Sequence, residues 1–306
     1  MKMTTMCARG LIAAIVVCFP TIALAQTAPP VRLDDSSLTP RMLALGGRAD
    51  ALANSTSSMF GNPAMMVHGR NYHVDAYGLY DPTVGRFGFG SSAIDSTRQY
   101  VAAGLSYSFN SISDSANNDF RRSHDARVNL ALPLGPAFGL GFTTRFLDTQ
   151  PLANTPTPPR VPAFTGFTFD VGVFARPVPQ LTFTVAGYSI NNIDPRVSPI
   201  SMGFGASVQP APVIAIVADA YVDFRTVTDA VRGRYSGGVE LFVANHIPIR
   251  MGYAFDHIRN SQHSLTAGVG YLDEVWGVEF GMRQGVYPEL QTTLMISARF
   301  FYRPPQ

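Results

Sequence analysis

Past residue 25 the sequence holds no cysteine and no lysine: Cys7, Cys18 and Lys2 all lie before that point, and every later basic residue is an arginine. Without cysteine that portion has no disulfide, no thiolate nucleophile and no thiolate metal site. There is also no excess of either charge. Of 23 basic residues against 21 acidic ones, the first 25 positions hold Lys2 and Arg9 and no carboxylate, so the two signs then balance. A nucleic-acid binder would show a strong basic excess, so that class is excluded. Long apolar runs are missing as well. The longest uncharged stretch after the start, Val197–Ala218, contains Pro199, Pro210 and Pro212. It cannot be the ~18-residue apolar helix that crosses a bilayer.

What is present begins with an export signal. Lys2 and Arg9 are followed by the apolar run Leu11–Phe19 and by Ala23-Leu24-Ala25 before Gln26, the layout of a signal peptide over residues 1–25. An exported chain that is 46% hydrophobic and 14% charged, with no spanning helix, is either a soluble β-protein or a transmembrane β-barrel.

Periodicity favours the barrel. From about Tyr72 onward polar and apolar residues alternate with period two in fourteen segments. These lie at about 71–81, 84–94, 99–109, 124–133, 137–148, 164–176, 180–190, 199–209, 212–225, 233–244, 247–257, 262–272, 274–284 and 289–302. Segment 274–284 sets Trp276, Val278, Phe280 and Met282 against Gly277, Glu279, Gly281 and Arg283. Aromatics gather at segment ends, as with Tyr72 and Tyr80, Tyr253 and Phe255, and Phe300 and Tyr302. Rings at those heights suit interfacial girdles. Connections alternate long (110–123, 149–163) and short (134–136, 177–179, 210–211), the rhythm of outer loops and periplasmic turns. The expected fold is an all-β, antiparallel up-and-down transmembrane barrel of about fourteen strands over 71–306, located in the outer membrane of a Gram-negative cell and surrounded by its lipid.

One face should then look inward with its charges: Asp75, Arg127, Arg145, Asp170, Asp219, Asp223, Arg225, Glu240, Arg250, Asp256, Glu279, Arg283 and Arg299. Both signs are interspersed, which points to a paired network rather than a single-sign selectivity stripe. The Gly-x-Gly repeats at 88–90, 139–141, 203–205 and 268–270 sit inside strands with no following helix. They are expected to make room in the lumen, not to hold a nucleotide. The six histidines have no metal-ligand spacing, and no cofactor is expected. A rim hydrolase built on His263, Ser264 and Asp256 is the one enzymatic alternative; the main expectation is a non-enzyme.

Residues 26–70 do not alternate and cannot span. A fourteen-strand lumen is wider than its own side chains fill, so this segment is expected inside it as a plug. It contains Ala44-Leu45-Gly46-Gly47-Arg48-Ala49-Asp50-Ala51-Leu52-Ala53, then Asn62-Pro63-Ala64 just ahead of the first strand. Both resemble the N-terminal hatch of the long-chain fatty-acid transporter (FadL-like) family, a superfamily that includes the PorV-type barrels. The resemblance implies fourteen strands, a hatch, insertion by the barrel-assembly machinery and passive passage of a hydrophobic or amphipathic small molecule, in many members with a lateral opening to the bilayer. The usual Gly-Leu after the tripeptide is Met65-Met66 here. Phe60, Asn62, Pro63, Ala64, Met65 and Met66 become the hatch and substrate-path candidates, with Met59 beside them. Met adapts to varied apolar shapes. A PorV-type scaffold for secretion or surface attachment is the alternative function; residues alone leave ligand and oligomeric state open.

Overall fold

A computed structural model describes residues 38–52, 55–68, 72–97, 100–115, 119–152, 155, 161–191, 193–225, 231–258 and 261–302. The expected signal peptide and the start of the 26–70 segment lie outside the described residues.

Fourteen strands follow one another: β1 (Tyr72–Asp81), β2 (Arg86–Asp95), β3 (Ala102–Asp114), β4 (Asp119–Pro133), β5 (Phe138–Pro151), β6 (Phe164–Val178), β7 (Leu181–Tyr188), β8 (Ser201–Ala211), β9 (Ile214–Asp223), β10 (Arg232–Val243), β11 (Ile247–Asp256), β12 (Gln262–Leu272), β13 (Trp276–Tyr287) and β14 (Thr292–Tyr302). Every strand pairs antiparallel with its sequence neighbours. β1 and β14 close the ring, with Tyr72 opposite Tyr302 and Tyr80 opposite Leu294. Closure leaves no edge, so every backbone polar group can be met within the sheet, as a hydrocarbon environment demands.

The orientation of the alternation is inverted relative to a soluble sandwich. Outward positions carry Leu105 (61% exposed), Phe167, Ile296 (56%) and Phe300, whereas Arg250 (2%) and Glu279 (1%) are buried on the inside. Apolar side chains out and charges in is a stable arrangement only where lipid surrounds the sheet. The chain is therefore a transmembrane β-barrel of the outer-membrane type.

The strand positions agree with the sequence pattern to within a few residues except at one hairpin. The long connection expected over 110–123 is mostly strand: β3 runs to Asp114, β4 begins at Asp119, and the two are paired opposite each other. Beyond Asn110 the outward face turns mostly polar (Ser111, Ser113, Arg122), because this hairpin continues past the apolar belt. Outward side chains there meet water, so the period-two hydrophobic signal fades while the ladder goes on.

Candidate functional site

The described part of the N-terminal segment lies against inward-facing strand residues, and its local structure follows from its sequence. A short helix, α1 (Pro40–Ala44), starts with Pro40 at the first helical position and Thr39 as cap, whose Oγ1 accepts from the Met42 N–H at 3.3 Å. It ends at Gly46 and Gly47, whose φ angles of 99° and 127° suit glycine. Single turns of 3₁₀ helix follow at Ser55–Met59 and Pro63–His68. The Thr39 and Ser57 hydroxyls are bonded to each other at 3.0 Å, tying the first piece to the second.

Glycines in the wall make the seat. A Cβ at Gly281 would lie 2.4 Å from the Pro40 carbonyl oxygen, one at Gly268 2.5 Å from the Ala44 methyl, and one at Gly252 2.8 Å from the Leu45 carbonyl carbon. On the opposite wall, a Cβ at Gly141 would meet the Ala64 nitrogen at 2.1 Å and one at Gly172 the Asn62 Oδ1 at 2.1 Å. The segment thus touches strand backbone where any side chain would hold it off.

Asn62 is the most constrained residue of the tripeptide. Its Nδ2 donates to the carbonyls of Val173 (2.9 Å) and Val185 (3.1 Å), which face each other on β6 and β7. Its Oδ1 accepts from the Ala64 N–H at 3.0 Å. Asn62, Ala64 and Met66 are fully buried. Met59 and Met66 pack with Ile94, Ala102 and Ala131; Ala64 and Met65 pack with Phe174. The Phe60 ring meets Tyr77 edge-on at 5.8 Å, and the Arg127 guanidinium lies 5.1 Å above it.

Among the described residues, beside pairs such as Arg234–Asp256 and Arg121–Asp119, charged side chains form three larger connected groups. In the largest, Arg41 of α1 holds Glu240 (2.7 Å), Glu240 holds Arg250 (2.5 Å) and Arg250 holds Glu279 (2.6 Å). Glu279 pairs with Arg299, and Arg299 with Asp75 (3.2 Å). Asp75 then accepts from Thr56 Oγ1 at 3.1 Å, which returns the chain of contacts to the N-terminal segment. In the second group Asp125 joins Arg127 (2.6 Å) to Arg145 (3.0 Å), and Asp170 lies 3.9 Å from Arg145 while accepting from the Ser189 N–H. In the third, Asp219 accepts from the Asp50 N–H at 2.9 Å, Asp50 accepts from Tyr188 Oη and Arg48, and Arg48 stacks over Tyr188.

Most inward charges read from the alternation are where they were expected. Asp170, Asp219, Asp223, Glu240, Arg250, Glu279, Arg283 and Arg299 are all buried. Arg225 is the correction. It lies past the end of β9 and is exposed, with its backbone N–H on the Asp223 carboxylate. The apolar–polar period ends with the strand at Asp223, two residues short of Arg225, where a turn begins. Arg41 and Asp50 were missed as members of the networks because their partners Glu240 and Asp219 are 199 and 169 positions away, and Arg48, which pairs with Asp50, was missed with them. The hydrolase set is not assembled: His263 bonds to Tyr253 Oη, the adjacent Ser264 is buried on the other face, and Asp256 is held by Arg234 at 2.6 Å. Among the described residues no group of three His, Asp or Glu could hold a metal.

No family model matches the sequence, and no curated protein matches it. Solved structures do match. The CymD monoaromatic hydrocarbon channel has a TM-score of 0.70 at 12% identity, covering 89% of this chain and 99% of its own. The Pseudomonas putida toluene transporter TodX has a TM-score of 0.66 at 10% identity, covering 89% and 100%. A Pseudomonas aeruginosa FadL homologue has a TM-score of 0.62 at 11% identity, covering 90% and 99%. The chain has a FadL-like barrel fold.

Two spaces in this FadL-like barrel bear on passage. A recess of about 410 Å³ lies over β1–β6, rimmed by Leu105, Tyr107, Phe146 and Phe167 and floored where side chains are small, at Ser91, Ala93 and Ala126. A second space, of about 200 Å³, lies between the N-terminal segment and β6–β8 near the turn Pro179–Gln180.

His68 lines that second space and stacks on Phe174 at 4.5 Å. Burial, and then the Arg176 charge beside it, hold its imidazole down to about 4. An unfolded imidazole takes its proton near 6.5, so between those values the open segment binds more protons than the seated one. Seating should therefore weaken as pH falls from about 6.5 to about 4, by up to roughly 3 kcal/mol. Amide hydrogen exchange across 55–68 should accelerate over that window, and H68Q should flatten the difference. An H68Q profile as steep as the parent's would assign the effect to other groups.

Proposed function

We propose that this barrel passes a hydrophobic or amphipathic small molecule across the outer membrane by passive diffusion, and that residues 26–70 act as its hatch. The observation that carries this reading is the mode of attachment of Phe60–Met66. These residues sit across the lumen on glycine contacts and side-chain hydrogen bonds, not on strand pairing, so they can shift while the ladder stays intact. Asn62, Pro63 and Ala64 form the catch against β5–β7; Phe60, Met65 and Met66 offer the apolar surface along which cargo moves. The structures it resembles support the same reading, since two are named for hydrocarbon and toluene passage. The recess beside Leu105 and Phe167 provides an apolar place for cargo arriving from the lipid side. The proposal is a transporter.

Uptake of a labelled hydrophobic substrate should fall in cells lacking the gene and recover with the parent gene. Asn62→Ala removes two bonds to wall carbonyls and one to Ala64, about 1–3 kcal/mol of hold where a buried acceptor is left unmet. In planar bilayers it should raise open probability several-fold. Unchanged uptake in the null strain removes the transport reading; a silent N62A channel removes Asn62 from the catch.

A further inference from the structure

We propose that the short-turn mouth of the barrel holds a binding site for a small organic monocarboxylate of about the size of benzoate. The site is the 200 Å³ chamber between the N-terminal segment and β6–β8. Its turn, Pro179–Gln180, is a two-residue connection, as short as any between the described strands, which places the chamber on the periplasmic side.

Three features set the ligand chemistry. First, Arg176 has no carboxylate in the lining. Its guanidinium donates to the Pro179 carbonyl at 2.9 Å, whereas Arg145, Arg250 and Arg299 are each matched by carboxylates. Among the described residues the lining therefore holds one guanidinium and no carboxylate, with the Gln180 and Gln209 side-chain amides beside it. A guanidinium fork suits a carboxylate. Second, Leu52 and Met65 give the opposite side an apolar surface, which a free inorganic anion would not use. Third, the size suits one ring: a cavity of roughly 150 Å³ accommodates benzene, so this space, open on one side, seats a ring and its carboxylate. His68 adds a ring nitrogen, Nε2, that has no hydrogen-bond partner in the fold. The site stands on the chamber alone and does not require that cargo crosses the lumen.

The test is calorimetric titration of the folded protein in detergent with benzoate, with benzyl alcohol as a neutral counterpart and with inorganic phosphate. Benzoate should bind more tightly than either. R176Q should weaken it roughly 10- to 100-fold, the value of one charge-assisted hydrogen-bonded contact. Q180E, at an exposed turn position, should do the same by placing a carboxylate in the lining; it decides the matter if R176Q fails the heat-modifiable gel shift of a folded barrel. Benzoate heat no greater than that of empty micelles, or affinity unchanged by both variants, overturns the site. Benzyl alcohol binding as tightly as benzoate overturns the charge argument, and phosphate displacing benzoate at equal concentration overturns the organic-ligand argument.

Discussion

Arg250→Ala should be among the most damaging single substitutions in this barrel, at about 3–5 kcal/mol. Arg250 lies on the inner wall between Glu240 at 2.5 Å and Glu279 at 2.6 Å, and all three are almost wholly buried. Removing it leaves two carboxylates that were taken out of water and now share only Arg41 and Arg299. Breaking a buried ionic group by deleting one member carries that cost, because the uncompensated charges stay in place. The same group joins α1 to β10, β11, β13, β14 and β1, so its loss should loosen the seat as well as the wall. Denaturant unfolding in detergent, followed by the gel shift of the folded form, would read the effect. A charge-balanced pair, E240Q with R250M, should recover much of it. The exposed pair Arg196–Asp194, at 2.8 Å with Arg196 58% exposed, is the internal control; R196A should cost less than about 1 kcal/mol. Equal losses at the two sites would mean that the interior is wet enough to screen its own charges.

Gly141→Leu should unseat the hatch while leaving the barrel closed. The first carbon of any side chain there falls 2.1 Å from the Ala64 nitrogen and 2.4 Å from the Pro63 carbonyl carbon. Both are backbone atoms, so no rotamer change relieves the contact and the tripeptide itself must move. Overpacking of this kind costs about 1–3 kcal/mol or more. The pairing of β5 with β4 and β6 runs through Gly141 by its own backbone and can persist. Because no cysteine follows Cys18, Met65→Cys introduces a single reporter thiol into the rest of the chain. In G141L that thiol should react with a membrane-impermeant maleimide at least roughly tenfold faster, and small-solute permeability should rise. Gly78→Ala, where the nearest atom beyond the chain neighbours is 3.9 Å away, should change neither. A reporter thiol that stays buried and unreactive in folded G141L would show that the wall yields and the hatch does not.

These two variants also mark how far local pattern reached. β13 could be read from Trp276, Val278 and Phe280 against Glu279 and Arg283, since period-two alternation is a property of neighbouring residues. The apolar face could be aimed at lipid because the other face was too charged for a dry centre. The Asn62-Pro63-Ala64 element was visible through its position ahead of the first strand. The β3–β4 extension was not: past the apolar belt the outward residues Ser111, Ser113 and Arg122 meet water, so the outer face no longer carries the apolar half of the alternation. Arg225 was placed inward by continuing a period through a turn that ends it.

The order of residues by itself determined a chain that alternates for fourteen strands, with no cysteine and balanced charge past residue 25, and with it a closed barrel in lipid. Only the tertiary structure decided which arginine meets which carboxylate, and that α1 rests on Gly252, Gly268 and Gly281. Those contacts join positions on different strands, or on the N-terminal segment and the wall, as far apart in the chain as Pro40 and Gly281. They depend on register and closure, quantities that no window of neighbouring residues contains.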